Sequence, residues 1–154
     1  MYNYRGTGLD NIWLLNGYEE HETPLGKSIS IEDLDNLHKA IAGALVDSKP
    51  ELTGKEFRFL RTELEMSQTT LAEYIGVQAQ TVANWEKENV PVQKYGDHII
   101  RHLYKRYFGG DPDIVALVNR LNDLEKDHFH RVKFEHNSKD GTSAWKMVQQ
   151  RDAA

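Results

Sequence analysis

Residues Thr53 to Pro91, TGKEFRFLRTELEMSQTTLAEYIGVQAQTVANWEKENVP, carry the clearest local structural signals in this chain. Thr53 and Glu56, three residues apart, form the pattern of a capping box, in which each side chain accepts a hydrogen bond from the other residue's free backbone N–H. This pattern predicts that a helix begins at Thr53. The apolar residues that follow recur at helical spacing, namely Phe57, Leu60 and Leu64.

Two shorter helices follow the first. Ser67 is a second N-cap candidate, and Gly76 can take the left-handed conformation that ends a helix without a steric penalty. The apolar stripe between them is Leu71, Ala72 and Ile75. After a short turn, Thr81 opens a third helix with Val82 and Trp85 facing inward. Two short helices joined by such a turn have the geometry that places the second one in a DNA major groove.

These residues resemble the phage-repressor (Xre/Cro) type of helix-turn-helix and, within it, the antitoxin-like regulators. The matching pattern is Ser67-Gln68, Leu71-Ala72, Gly76-Val77, Thr81-Val82, Trp85-Glu86 and Pro91. The usual glycine after the third helix is replaced, and Asn89 is expected to take the left-handed cap instead. The resemblance also implies a partly buried ion pair between Arg61 and Glu86, which locks the first of these helices to the third.

The start and the outer face of a helix in the major groove read base edges. By resemblance, Gln80 and Asn84 lie where the family reads bases, and Gln68 lies where it contacts phosphate. Lys87 is the strongest candidate for neutralising a phosphate, whereas Lys94 and Arg101 fit a solvated face better. The complete set of candidate DNA-binding residues is Gln68, Thr69, Gln78, Ala79, Gln80, Thr81, Asn84 and Lys87.

The N-terminal part of the chain predicts a hairpin and a helix. Aromatic residues and glycines alternate with polar residues over 1–24, which favours two short strands, and 24–28 is expected to be a loop. Ser30 is expected to cap a helix that runs to about Ser48. This region resembles the segment before the helix-turn-helix in zinc-finger antitoxins. Those proteins carry paired cysteines there, and this chain has none, so no zinc site is predicted.

The C-terminal part predicts two helices and a second hairpin. The first helix lies within 91–108 and stops at Gly109. Pro112 starts the second, which runs to about Lys126 and is either a core element or a dimerisation helix. Asp140-Gly141 is a hairpin signal, and strands at both chain ends suggest one shared sheet. The expected fold is α+β and mainly helical, with a central five-helix repressor-type helix-turn-helix and short terminal strands.

Three regions are expected within the 154 residues. Residues 1–50 form a partner-binding or packing region, 51–108 the DNA-binding domain, and 109–154 a candidate dimerisation region. The net charge is −5, and the excess is N-terminal, because 1–51 holds 4 basic and 9 acidic residues while 52–108 holds 8 and 7. A local basic face, and not the total charge, must meet phosphate. No membrane-spanning stretch or signal peptide is visible, so a cytoplasmic location is expected.

The sequence favours a sequence-specific regulator of double-stranded DNA, a dimeric repressor on a palindromic operator, with no cofactor and no enzymatic activity. One alternative is an antitoxin that neutralises a toxin through its acidic N-terminal region and represses its own operon. Another is a protein-binding module. A metal-dependent hydrolase is the least favoured, since His98 and His102 lack the intervening glutamate of metalloproteases and His128 and His130 fit surface positions.

Overall fold

The computed structural model describes residues 1–127, 133–137 and 144–148. The described elements, in chain order, are β1 (Tyr2–Asn3), β2 (Trp13–Leu14), β3 (Tyr18–Thr23), β4 (Gly26–Ile31), α1 (Leu34–Ser48), α2 (Gly54–Glu63), α3 (Gln68–Ile75), α4 (Ala79–Glu86), α5 (Lys94–Phe108), α6 (Pro112–Asp127), β5 (Lys133–Asn137) and β6 (Ala144–Val148). The predicted α+β, mainly helical fold is confirmed.

The strands form three separate antiparallel pairs, β1 with β2, β3 with β4 and β5 with β6. The shared sheet expected from the two chain ends is therefore wrong for the described strands. Each strand pairs with its nearest neighbour in the sequence, because short connections close at a lower entropic cost than long ones. The Asp140-Gly141 turn lies outside the described residues.

The N-terminal region contains four strands where two were expected. The segment 24–28, predicted as a loop, contributes its last three residues to β4, and the turn is confined to Pro24 and Leu25. Ser30 is not a helix cap, because it lies in β4 opposite Glu19. Helix α1 begins instead after Asp33, whose backbone is left-handed with φ 51°.

The helix-turn-helix forms as its local signals predict. Thr53 and Glu56 make both bonds of the capping box at the start of α2. The Ser67 side chain accepts the Thr70 N–H, and Gly76 ends α3 with φ 92°. Helix α4 begins at Ala79, two residues before the predicted start at Thr81, because the extended Gln78 backbone already serves as its N-cap.

The left-handed residue after α4 is Glu88, with φ 61°, and not Asn89. The Glu88 N–H donates to the Trp85 carbonyl, and the Asn89 N–H donates to the Asn84 carbonyl. These two bonds form the Schellman motif that satisfies the last carbonyls of a helix. Glu65, with φ 56°, occupies the same position after α2.

Trp85 is the centre of the core and is 1% exposed. Two glycines leave the space that Trp85 occupies. A Cβ added to Gly54 would lie 2.0 Å from the Trp85 carbonyl oxygen, and one added to Gly96 would lie 2.8 Å from its ring. Phe57 and Tyr95 meet the indole edge-on, with ring centroids at 5.6 and 5.9 Å. Helices α2, α4 and α5 therefore meet at one side chain.

The chain divides into two compact units, 1–122 and 123–154. This division differs from the three expected regions. The first unit includes the N-terminal strands and α1, because Tyr4, Leu14 and Ile41 belong to the same buried cluster as Phe57. The second unit begins inside α6 and contains the β5–β6 hairpin.

Arg101 on α5 joins α1 to the helix-turn-helix. Its guanidinium pairs with Asp97 and donates to the carbonyls of Leu45, Val46 and Lys49 at the end of α1. Asp97 also accepts the Leu52 N–H at 2.8 Å. Arg101 thus supplies a donor to the carbonyls at the C-terminal end of α1, where a helix leaves its last carbonyls without N–H partners of the next turn.

Candidate nucleic-acid interface

Helix α4 has one buried face and one exposed polar face. Val82 and Trp85 are buried, at 0% and 1% exposure, and hold the helix against α2 and α5. The opposite side presents Gln80, which is exposed, and Asn84, which is partly exposed. Burial of the apolar face therefore determines which side chains remain available to a ligand.

Gln80 and Asn84 are joined to each other on this face. The Gln80 Nε2 donates to the Asn84 Oδ1 at 3.1 Å, one helical turn further along. Each amide keeps additional donors and acceptors, because a single bond uses only part of its capacity. The two side chains together present amide groups of the kind that pair with adenine edges.

The start of α4 supplies three more candidate residues. Gln78 is the N-cap, is exposed, and makes no side-chain cap hydrogen bond. Thr81 is partly exposed. Ala79 is also only partly exposed, and it packs against the hydrophobic core. Its methyl group is therefore less available for a base contact than the sequence pattern suggested.

The start of α3 lies against the end of α4. Gln68, predicted to contact phosphate, donates from Nε2 to the Glu86 Oε1 at 3.1 Å. Thr69, the next residue, is exposed. The Gln68 amide thus fixes α3 relative to α4, while Thr69 remains accessible to a ligand.

Arg61 and Glu86 form a bidentate ion pair between α2 and α4. Arg61 Nε and Nη2 each lie 2.7 Å from a carboxylate oxygen of Glu86. The Arg61 side chain is 14% exposed and that of Glu86 only 3%. Arg61 Nη1 also donates to the Met66 carbonyl at 2.9 Å. The arrangement is the structural lock expected from the sequence.

The three cations near this surface differ in their surroundings. Lys87 and Lys94 are exposed, at the end of α4 and the start of α5. Arg101 is bound to Asp97 and to the α1 carbonyls, so most of the hydrogen-bonding capacity of its guanidinium is used within the fold. The solvated position expected for Arg101 is therefore wrong, because its side chain is only 16% exposed.

One polar network was not predicted. The Tyr4 hydroxyl lies 2.6 Å from His38 Nε2, and His38 Nδ1 lies 2.6 Å from Glu63 Oε1. Burial, followed by the nearby Glu63 charge, raises the pKa of Tyr4. The network links the N-terminal segment, α1 and α2. The three residues are far apart in the sequence, and no local motif signals their meeting.

The histidines considered for metal binding do not assemble a site among the described residues. His98 and His102 are exposed on α5, while His128 and His130 lie outside the described residues. Within 1–127, 133–137 and 144–148, no three His, Cys, Asp or Glu side chains are grouped closely enough to hold a metal ion. None of the described helices is long and apolar enough to cross a membrane.

Comparison with known proteins places the candidate interface in a family. Residues 57–91, which cover most of α2 and all of α3 and α4, match the model of a helix-turn-helix family. No curated protein and no solved structure gave a significant match. Helix-turn-helix proteins of this family bind DNA and are generally not enzymes. Residues 57–91 are therefore a DNA-binding helix-turn-helix of the phage-repressor (Xre/Cro) type.

Proposed function

We propose that this protein is a sequence-specific transcriptional regulator that represses its target genes as a homodimer on a palindromic operator. The observation that carries the proposal is the Gln80–Asn84 pair on the exposed face of α4. Two amides one helical turn apart on a helix of this type are suited to reading adenine edges in the major groove.

The rigidity of the reading helix supports the proposal. Trp85 anchors α4 in the core, and the Arg61–Glu86 pair fixes the helix end to α2. A site held on a rigid element reads base edges more accurately than one held on a loop. Gln68 contributes by holding α3 to the same carboxylate, and its backbone N–H at the start of α3 is a further phosphate donor.

A dimer is expected because of the short length of DNA that one recognition helix can contact. A single short recognition helix reaches only a few base pairs, and two-fold related copies would place their recognition helices about 34 Å apart, one turn of DNA. Lys87 and Lys94 would contact backbone phosphates on each half-site, which adds affinity without sequence preference.

The test is selection of bound sequences from a random pool of double-stranded DNA. The wild-type protein is compared with Gln80→Ala/Asn84→Ala and with Asn16→Ala, which removes an exposed amide from the N-terminal region. We expect a palindrome to be enriched by the wild type and by Asn16→Ala but not by the double variant. On the selected site, Gln80→Ala alone should cost about 1–3 kcal/mol of binding free energy.

Two results would contradict the proposal. One is equal affinity of the wild type for the selected and a scrambled site. The other is affinity that does not change with salt, because binding to phosphates makes log affinity fall linearly with log salt concentration. Salt-independent behaviour would favour the protein-binding module in place of DNA recognition.

The antitoxin role is a second candidate, and the charge of β3 favours it. Glu19, Glu20 and Glu22 are all exposed on this strand, so the N-terminal region offers acidic side chains outside the helix-turn-helix. A basic toxin bound there would contact a segment of the chain other than the recognition helix. Co-expression with the product of the neighbouring gene tests this role, and a neighbour that is neither toxic nor bound would contradict it.

A further inference from the structure

Strands β3 and β4 form an exposed ribbon. Six consecutive residue pairs join them, from Tyr18 opposite Ile31 to Thr23 opposite Gly26. Only Tyr18, Ile29 and Ile31 are partly buried, and Leu25 at the tip is fully exposed. Within the described residues, no third strand pairs with either member. A two-stranded ribbon of this kind is marginally stable by itself in water.

The hydrogen-bond pattern shows which backbone groups point away from the ribbon. The Glu32 N–H donates to the Gly17 carbonyl, so this pair is hydrogen-bonded. Hydrogen-bonded pairs alternate with non-hydrogen-bonded pairs in an antiparallel ladder. The residues whose backbone N–H and C=O groups point away from the partner strand are therefore Lys27, Ile29 and Ile31 on β4, and Tyr18, Glu20 and Glu22 on β3. We call these residues outward-facing.

The two edges differ in their ability to accept another strand. On β3, two of the three outward-facing residues are glutamates, and charged side chains on an edge oppose pairing with a second strand. On β4, Ile29 and Ile31 are β-branched, and Lys27 lies at the tip end. The β4 edge is thus open to a further strand, while the β3 edge is protected.

We propose that the β4 edge pairs with the β4 edge of a second copy of this chain, in antiparallel register about a two-fold axis at Ile29. This proposal rests on the homodimer in the proposed function and names the surface that forms it. The result is a four-stranded sheet with β3 of each copy on the outside.

The register follows from the outward-facing groups. With Ile29 opposite Ile29 of the partner, Lys27 lies opposite the partner's Ile31, and all three outward-facing residues of β4 are matched. Three such pairs make about six main-chain hydrogen bonds. A shift by one residue would place the outward-facing backbone groups of one copy opposite inward-facing groups of the other. The two-fold register at Ile29 is therefore the one in which all the outward-facing N–H and C=O groups of β4 find a hydrogen-bond partner.

The charges agree with this arrangement. Opposed residues in an antiparallel pair lie on the same face, so Glu20 and Ile29 of one copy align with Ile29 and Glu20 of the other. The two acidic β3 strands, one from each copy, are then separated by both β4 strands. Pairing through β3 would instead bring the Glu20 and Glu22 side chains of two copies together, which is unfavourable.

Single-cysteine variants test the register directly, because the chain has no cysteine of its own. In Ile29→Cys, the two thiols would face each other with Cα atoms about 5.5 Å apart, a separation that suits a disulfide. Glu20→Cys places the thiol directly across the same ribbon on the outer strand and is the matched control. Under mild oxidation without DNA, we expect a covalent dimer from Ile29→Cys and none from Glu20→Cys. Equal cross-linking of both variants, or of neither, would overturn the proposal.

Proline variants test the edge by a second route. Ile29→Pro removes an outward-facing N–H that no described residue accepts, and proline is tolerated on an edge strand. Glu20→Pro makes the same change on the opposite edge. By sedimentation, Ile29→Pro should be monomeric and Glu20→Pro dimeric. A dimeric Ile29→Pro, or loss of the dimer in both, would overturn the proposal.

The two proposals fail in different assays. Loss of DNA enrichment with an intact Ile29→Cys cross-link would contradict the proposed function alone. Selection of a palindrome by a protein that does not cross-link at Ile29 would contradict the β4 interface alone, because the dimer would then use another surface.

Discussion

Replacing glycine by alanine in a helix ordinarily raises stability, and two helical glycines of this protein should respond in opposite directions. Gly43 lies inside α1, and a Cβ added there has no atom within 4 Å. Gly54 is the first residue of α2, where a Cβ would lie 2.0 Å from the Trp85 carbonyl oxygen. The contrast tests how closely α2 approaches α4.

The magnitudes follow from these distances. Alanine is favoured over glycine by up to about 1 kcal/mol in a helix, so Gly43→Ala should raise the free energy of unfolding by about 0.5–1 kcal/mol. In Gly54→Ala the two helices must separate by about 1 Å to reach even 3.0 Å, the shortest distance that real contacts show. Overpacking of this kind costs about 1–3 kcal/mol. The net effect should be a loss of about 2 kcal/mol.

Urea unfolding of the wild type and both variants measures these changes, with the transition followed by tryptophan fluorescence, to which the buried Trp85 contributes together with the exposed Trp13 and Trp145. The two variants should differ by about 3 kcal/mol. An equal gain in stability for both would show that α2 and α4 are further apart than in the structure, and the reasoning about Trp85 would be wrong. If Gly43→Ala also lost stability, the helix-propensity step would fail.

Three further changes test other parts of the molecule. Glu86→Leu should cost about 3–5 kcal/mol of stability, because it leaves the Arg61 guanidinium without its carboxylate partner. In a double-mutant cycle, Arg61→Met/Glu86→Leu should recover most of this loss, and additive losses would contradict a coupled pair. Glu65→Gly should raise stability by about 0.5–1 kcal/mol, since Glu65 is exposed and left-handed, and a loss in urea unfolding would contradict this. Tyr104→Phe should be neutral or stabilising at neutral pH, since no described residue bonds the buried hydroxyl. Burial, followed by the Glu63 charge, raises the pKa of Tyr104 to about 12, so the folded state holds its proton more tightly than the unfolded state. Wild-type stability should therefore fall as the pH rises from 10 towards about 12, and the fall should be smaller in Tyr104→Phe; identical profiles would contradict this assignment.

Local chemistry made the helix-turn-helix predictable. The capping box at Thr53 and Glu56, the Ser67 cap and the Gly76 terminus each act within a few residues, so they can be read from the sequence. The start of α4 was misplaced because Gln78 caps the helix with its extended backbone alone, without the side-chain bond that usually marks such a residue.

Long-range contacts were not predictable in the same way. Strand β3 lacks the alternation of apolar and polar residues that marks a half-buried strand, and in β4 this alternation is confined to its last four residues, Ser28 to Ile31. The Tyr4–His38–Glu63 network joins residues 34 and 25 positions apart. The bonds of Arg101 to α1 reach back more than 50 positions. Each depends on packing that no local pattern encodes.

The position of Arg101 has a consequence for the smallest fragment that can bind DNA. A fragment beginning at Leu52 would keep every residue of the helix-turn-helix but would lack the α1 carbonyls that Arg101 binds. It would also expose Phe59, whose ring meets the imidazole of His38 on α1 edge-on at 5.7 Å. A truncated protein that preserves the motif would therefore be poorly folded. Fragments for study with DNA should begin at the N-terminus and retain α1, because the first fifty residues complete the domain that carries the recognition helix.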